Sequence, residues 1–207
     1  MKIKLLLAAL LLPLALGAQQ VDTTMYYDQI PELVFTEKAT KEKYLLRKGV
    51  AVLAGQALGG FIYQDGKLSS MEFGSTASTG KPFRVQEISF TVVSNGIPGC
   101  KGRIGIYRLE KETKIYRNVL RKPLLVDIPV QESANEIVIR PEETIDLEPG
   151  RYFIAFSIER YSPDISEDTP GLYFKFYHHD GYYREPPAVK LKYLPVSIGI
   201  RVKGLSI

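Results

Sequence analysis

The stretch Arg151-Tyr152-Phe153-Ile154-Ala155-Phe156-Ser157-Ile158-Glu159-Arg160 gives the clearest indication of the fold. Every second residue from Tyr152 to Ile158 is tyrosine, isoleucine or phenylalanine, and the turn Glu148-Pro149-Gly150 comes just before. A period of two places alternate side chains on opposite faces of a β-strand. The stretch therefore predicts a strand with one face against a hydrophobic core.

The same period of two recurs from about Val85 to the end of the sequence. Turn residues such as Asn95-Gly96 and Pro98-Gly99 separate the alternating segments, and no convincing helical pattern lies between them. This organisation predicts an all-β fold, an antiparallel β-sandwich of jelly-roll type with an N-terminal extension. The alternating positions are Ile88, Phe90, Val92, Ile104, Ile106, Leu124, Val126, Ile128, Ile137, Ile139, Leu172, Phe174, Phe176, Val189, Leu191, Tyr193, Val196, Ile198, Ile200 and Val202.

Residues 1–18 have the order of a signal peptide. Lys2 and Lys4 precede an apolar run from Leu5 to Leu16, and the small residues Gly17-Ala18 follow it. The run is shorter than the ~20 residues that a membrane-spanning helix needs, so we expect removal and no stable membrane span. The predicted location is the periplasm or, after secretion, the cell surface.

The remaining chain reads as one domain in two parts. Residues 19–78 are predicted to form an N-terminal extension packed on the sandwich, and residues 79–207 the sandwich core. Within the extension, Gly49 to Tyr63 favours a buried strand pair with a bulge, and Ser69 to Gly74 favours another short strand. No stretch rich in proline, glycine or serine separates two domains.

Composition excludes some classes of function. The formal net charge is +4 over 207 residues, Lys2 and Lys4 included, and basic residues alternate with acidic ones, as in Arg108 to Glu112. A nucleic-acid-binding protein concentrates its basic residues on one face, so no nucleic acid partner is expected. Cys100 is the single cysteine, which excludes an intramolecular disulfide and favours a structural residue at a turn or strand start.

The segment from Ile88 to Ile158, about a third of the chain, resembles a group of secreted jelly-roll-like proteins of Gram-negative bacteria. The likeness lies in Ile88-Ser89-Phe90, in Arg103-Ile104-Gly105-Ile106-Tyr107, in Asn118-Val119-Leu120 before Lys122-Pro123-Leu124, and in Ile145-Asp146-Leu147-Glu148-Pro149-Gly150 before Arg151. Some members of that group lie beside carboxypeptidase-regulatory-like domains. The resemblance implies the fold and secretion, and it supplies no catalytic residues.

The densest cluster of chemically useful side chains is Tyr177-His178-His179-Asp180-Gly181-Tyr182-Tyr183-Arg184. Neighbouring residues in an extended chain point to opposite faces, so the two histidines do not suit one metal ion. Tyrosines beside polar groups can stack on a sugar and hydrogen-bond to it. We therefore predict a ligand-binding site of Tyr177, His179, Tyr182 and Tyr183 at one sandwich end; the alternative is an Asp-Gly hairpin with aromatic strand ends.

Motifs for catalysis, metals and cofactors are weak throughout. The acidic loop with Asp164, Glu167 and Asp168 has oxygen ligands suited to calcium, but its spacing matches no EF-hand and its prolines suit a solvated connection. The sequence contains no nucleophile elbow, zinc-protease helix or phosphate-binding loop. No cofactor, metal or catalytic residue is predicted.

These observations predict an exported, non-enzymatic binding module of the cell envelope whose ligand is a glycan or an envelope protein. For a protein partner, the expected contact is an exposed edge strand or the N-terminal segment. The alternative is a carboxylate-dependent hydrolase of envelope or extracellular polysaccharide. It requires two acidic side chains ~5 to 9.5 Å apart in a groove.

Overall fold

A computed structural model describes residues 41–51 and 58–207. The predicted signal peptide, residues 1–18, lies outside the described residues, as does the first part of the predicted extension. The described residues form strands and no helix. The strands are β1 (Glu42–Leu46), β2 (Val50–Ala51), β3 (Leu58–Phe61), β4 (Tyr63–Gln64), β5 (Lys67–Leu68), β6 (Glu72–Thr79), β7 (Phe83–Asn95), β8 (Lys101–Leu109), β9 (Tyr116–Asn118), β10 (Leu124–Asp127), β11 (Asn135–Ile139), β12 (Ile145–Leu147), β13 (Gly150–Arg160), β14 (Leu172–Lys175), β15 (Tyr177–His178), β16 (Gly181–Arg184), β17 (Lys192–Leu194) and β18 (Arg201–Ser206).

Two seven-stranded sheets contain most of these strands, and every pairing is antiparallel. Sheet I is built around β7: β18 and β14 pair with successive parts of one edge of β7, with β1 beyond β18 and β3 beyond β14, and β11 and β12 pair with the other edge of β7. Sheet II has the order β10-β8-β13-β6-β16-β17, and β9 continues the edge of β8 beside β10. Two small ladders, β2 with β15 and β4 with β5, complete the described fold. The prediction of an all-β antiparallel sandwich is confirmed.

The core lies between the two sheets and is centred on phenylalanine rings. Phe156 of sheet II contacts Phe61, Phe90 and Phe174 of sheet I, at ring-centroid distances of 5.6, 5.3 and 5.1 Å. Edge-to-face and tilted rings at such distances add to the gain from burial. Most alternating positions predicted from the sequence are buried here, among them Ile88, Val92, Ile104, Ile106, Ile137, Ile139, Tyr152, Ile154, Leu172 and Val202.

The second face of β13 is buried as well, which the alternation did not predict. Phe153, Ala155 and Ser157 lie on the face of sheet II that points away from the core, yet they are almost inaccessible. Tyr107 joins Phe153 and Ala155 in a second apolar cluster there, covered by Tyr116, Tyr182 and Leu191. Sheet II therefore has an outer layer of its own.

The strand predictions near the C-terminal part need correction. The predicted strand with Val189, Leu191 and Tyr193 is only β17, which begins at Lys192, and Val189 is exposed. Residues 196–200 form no strand beyond one bridge at Ser197, although Ile198 and Ile200 are buried. Burial at alternate positions does not require ladder hydrogen bonds, and this segment fills the core without them.

The predicted extension, residues 19–78, supplies several strands within its described part. In sheet I, β1 is the outer strand beside β18 and β3 is the outer strand beside β14, and β6 lies between β13 and β16 in sheet II. No helix of the described residues is long and apolar enough to cross a membrane.

Candidate functional site

The four residues predicted to bind a ligand do not lie on one surface. Tyr182 and Tyr183 are neighbours in β16, so their side chains point to opposite faces of sheet II. Tyr182 packs on the outer cluster and Tyr183 packs on the core. Tyr177 is buried in β15, where its ring covers Gly199. The structure therefore separates Tyr182 from Tyr177 and Tyr183.

The strand pairing around these residues also excludes the alternative prediction of a hairpin at Asp180-Gly181. β15 pairs with β2, and β16 pairs with β6 and β17, so β15 and β16 form no hairpin across Asp180-Gly181. Both strands take partners that are distant or later in sequence, which local turn chemistry cannot specify. His179 lies between them, half-buried, with its Nδ1 3.1 Å from the backbone oxygen of Asp180.

Tyr182 belongs to a group of aromatic and polar side chains on the outer side of sheet II. We call this group the tyrosine face and define it as Tyr116, Tyr182, Tyr193 and Arg151 over Phe153. The ladders fix its layout, because Tyr182 opposes Tyr193 in β17, and Arg151 and Phe153 lie two residues apart on β13. The face therefore draws on strands β9, β13, β16 and β17.

In the tyrosine face, the ring of Phe153 is fully buried, and the rings of Tyr116, Tyr182 and Tyr193 lie nearer to solvent. Tyr116 meets the buried ring of Phe153 edge-on at 6.0 Å. Tyr193 meets Tyr182 at 5.7 Å, is 58% exposed, and donates a hydrogen bond from its hydroxyl to Asp180 Oδ1 at 3.2 Å. The ring of Tyr193 is thus fixed in place while much of its surface faces solvent.

A buried ionic network lies beside this face. Arg184 donates from Nε to Oε2 of Glu72 at 2.5 Å, and Tyr107 donates from its hydroxyl to Oε1 of the same carboxylate. The Arg184 guanidinium also lies over the Tyr107 ring, 4.1 Å from its centroid. Arg103 completes the network, 3.3 Å from both Glu72 and Glu159. The network holds β16 against β6 and β8.

Small residues make room for the network on the sheet. Gly105, Ala155 and Gly74 follow one another across β8, β13 and β6. A Cβ on Gly105 would lie 2.3 Å from the Tyr107 ring. These small residues leave space on the sheet for the Tyr107 ring, whose hydroxyl reaches Glu72.

Three tyrosines in this region, Tyr107, Tyr116 and Tyr193, have raised pKa values, which keep their phenols protonated. Burial, followed by the hydrogen bond to Glu72, raises the pKa of Tyr107 to about 12. Burial also raises the pKa of Tyr116, and the hydrogen bond to Asp180 raises that of Tyr193. A phenol with a raised pKa is a poor nucleophile, but it can still donate and accept hydrogen bonds.

The outer side of sheet I has a different character. Its charged side chains alternate in sign, and five of its cations are ion-paired with neighbouring carboxylates. Such a surface is well solvated and has its charges matched internally. The five cations are Lys48, Arg84, Arg140, Arg201 and Lys203.

A groove of about 540 Å³ lies where β9 gives way to β10 and β11 gives way to β12. It is lined by residues 119–125 and 139–146. Lys122 pairs with Glu143 within it, and Arg84 binds Asp146 at 2.8 Å. The hydrogen bond from Arg84 lowers the pKa of Asp146. A general acid needs a carboxyl group with a raised pKa, so Asp146 does not suit that role.

Other predicted chemistry has a structural explanation in the described residues. Within them, no three histidine, cysteine or acidic side chains are placed to hold a metal ion, the loop of Asp164, Glu167 and Asp168 included. Cys100 is buried directly before β8, and burial raises the pKa of its thiol to about 11. A buried thiol that stays protonated is a packing residue.

No protein-family model, no curated protein and no solved structure matches this chain. The fold and the tyrosine face therefore carry the functional argument.

The sequence reasoning missed Tyr116, Arg151 and Tyr193 as surface partners of Tyr182. They come from three strands, and only the pairing order of sheet II brings them together. One feature of the sequence did concern Tyr193: it lies two residues after Leu191, so alternation predicts that the two side chains lie on the same face of a strand. Nothing in the sequence indicated that this face points outward.

Proposed function

We propose that this chain is an exported, non-enzymatic binding module of the cell envelope, and that it binds a glycan on the tyrosine face. The observation that supports the proposal most is Tyr193, a 58% exposed ring held by Tyr182 and Asp180. Aromatic rings with a wet, polar end are suited to stacking on a sugar ring while hydrogen-bonding to its hydroxyls. Export to the periplasm or cell surface rests on residues 1–18 of the sequence.

The carboxyl groups favour binding over hydrolysis. In the described residues, the carboxyl groups with a shifted pKa are Glu110, Glu136 and Asp146, and all three pKa values are lowered by hydrogen bonds from neighbouring side chains. The general acid of a glycoside hydrolase needs the opposite shift. The alternative of a carboxylate-dependent hydrolase therefore has less support.

The test is binding of the purified exported chain to a panel of immobilised oligosaccharides. We expect binding that Tyr193→Ala weakens at least tenfold, because the substitution removes the stacking surface and little that is buried. Tyr44→Ala is the matched control, since Tyr44 is an exposed tyrosine (41%) on β1 of sheet I. Equal effects of the two substitutions, or no binding across the panel, would refute the proposal.

A protein partner is a second candidate, favoured by the outer edge of β10, beside which no strand of the described residues lies. The hydrogen bond from Ile128 N to Cys100 O sets the phase of the β10–β8 ladder, so the backbone groups of Leu125 and Asp127 point away from the sheet. Leu125 is also exposed. An added partner strand would use these groups, and Leu125→Pro, which removes an outward N–H, would then abolish capture of the partner while leaving glycan binding intact.

A further inference from the structure

Arg151 occupies a distinctive place on the tyrosine face. It opposes Ser78 across the β13–β6 ladder and lies two residues before Phe153, on the same outer side of sheet II. Its charge acts on the hydroxyl of Tyr116, where it partly offsets the rise in pKa that burial causes. The guanidinium is therefore close to the Tyr116 hydroxyl, and the side chain of Arg151 is exposed.

Arg151 also has no charge partner in the part of the chain that the structure describes. Within residues 41–51 and 58–207, its guanidinium forms no ion pair and no side-chain hydrogen bond, whereas Arg103 and Arg184, further along the outer side of sheet II, are both paired with Glu72. On the outer side of sheet I, Lys48, Arg201 and Lys203 are likewise paired with carboxylates. Arg151 thus gives the tyrosine face an available positive charge at its edge.

We propose that the ligand of the tyrosine face is an acidic saccharide and that Arg151 binds its anionic group. This inference rests on the proposed function. Tyr193 and Tyr182 would contact the sugar ring, and the planar guanidinium would donate two parallel hydrogen bonds to a carboxylate or sulfate. The phenols of Tyr116 and Tyr182 supply donors and acceptors for the sugar hydroxyls.

The test compares uronic-acid oligosaccharides (polygalacturonate, alginate and hyaluronan fragments) with the same fragments after chemical reduction of their carboxyl groups. We expect at least one acidic fragment to bind at least tenfold more tightly than its reduced form, and to bind more weakly as salt is raised. Arg151→Gln should lower binding of the acidic fragment to the level of the reduced one.

Arg121→Gln is the control, because Arg121 is an exposed arginine in the groove and not on the tyrosine face. Equal binding of acidic and reduced fragments, or an effect of Arg121→Gln in place of Arg151→Gln, would overturn the acidic-saccharide inference while the proposed glycan function stands. Equal binding of polyglutamate would show charge attraction without sugar recognition and would also overturn it. Failure of every saccharide, neutral ones included, would refute the proposed function itself.

Discussion

Replacing Glu72 by methionine should strongly destabilise the protein. The change removes the carboxylate that accepts hydrogen bonds from Arg184 and Tyr107. The Arg184 side chain is only 10% exposed, and its other hydrogen bond within the described residues goes to the backbone oxygen of Tyr116 at 3.4 Å. Glu72→Met therefore leaves a buried cation without a counter-charge.

The expected loss is about 3 to 5 kcal/mol, the usual cost of breaking a buried ion pair from one side. For a domain of this size, 1 kcal/mol corresponds to roughly 2 to 4 °C in Tm, so Tm should fall by about 6 to 20 °C. The triple variant Glu72→Met/Arg184→Met/Tyr107→Phe removes every charge and hydroxyl of the central contact. Apolar replacement of a whole buried pair is often neutral, so the triple variant should lie within about 1 kcal/mol of the wild type.

Urea unfolding followed by far-UV circular dichroism measures both free energies. Tyrosine fluorescence is the second probe, since the chain has no tryptophan. A loss below about 1 kcal/mol for Glu72→Met, or a triple variant as unstable as the single one, would show that the network is not the buried, tightly coupled unit described above.

Three further substitutions test the core, the outer layer and the thiol. Phe156→Ala should cost about 3 to 5 kcal/mol in equilibrium unfolding, because the ring is fully buried among three other phenylalanines; a loss under about 1 kcal/mol would mean a loosely packed core. Gly105→Ala should cost about 1 to 3 kcal/mol by displacing Tyr107, whereas Gly80→Ala, with no atom within 4 Å of the new Cβ, should not destabilise the fold; equal effects would contradict the packing argument. Cys100 should resist Ellman's reagent at pH 8 until urea unfolds the chain, because burial raises its pKa to about 11. Since this folded-state pKa lies above the reference value of 9.0, stability should fall as pH rises from about 9 to about 11, and Cys100→Ala should remove that part of the loss.

The sandwich was predictable because its inward positions follow a period of two. Ile88, Phe90 and Val92 alternate on β7 as Tyr152, Ile154 and Phe156 do on β13, and all six are buried. The periodicity does not show which strands are neighbours. The outer burial of Phe153 was therefore missed, since it depends on Tyr116, Tyr182 and Leu191 from distant parts of the chain.

The candidate site was predictable only in part, for the same reason. Local clustering drew attention to Tyr177, Tyr182 and Tyr183, but alternation along β16 places the last two on opposite faces. The same rule of alternation, applied within β16, would have separated Tyr182 from Tyr183. The partnership of Tyr182 with Tyr193 depends on the β16–β17 register, which no local pattern encodes.

The place of β18 in sheet I sets the order in which the protein can fold. β18 lies between β1 and β7, and Glu42 and Leu205 pair although they are about 160 residues apart. Sheet I cannot close until Arg201–Ser206 has left the ribosome, and pairings at such separations form slowly. Until then, the edge of β7 that β18 covers stays open to pairing with strands of other chains.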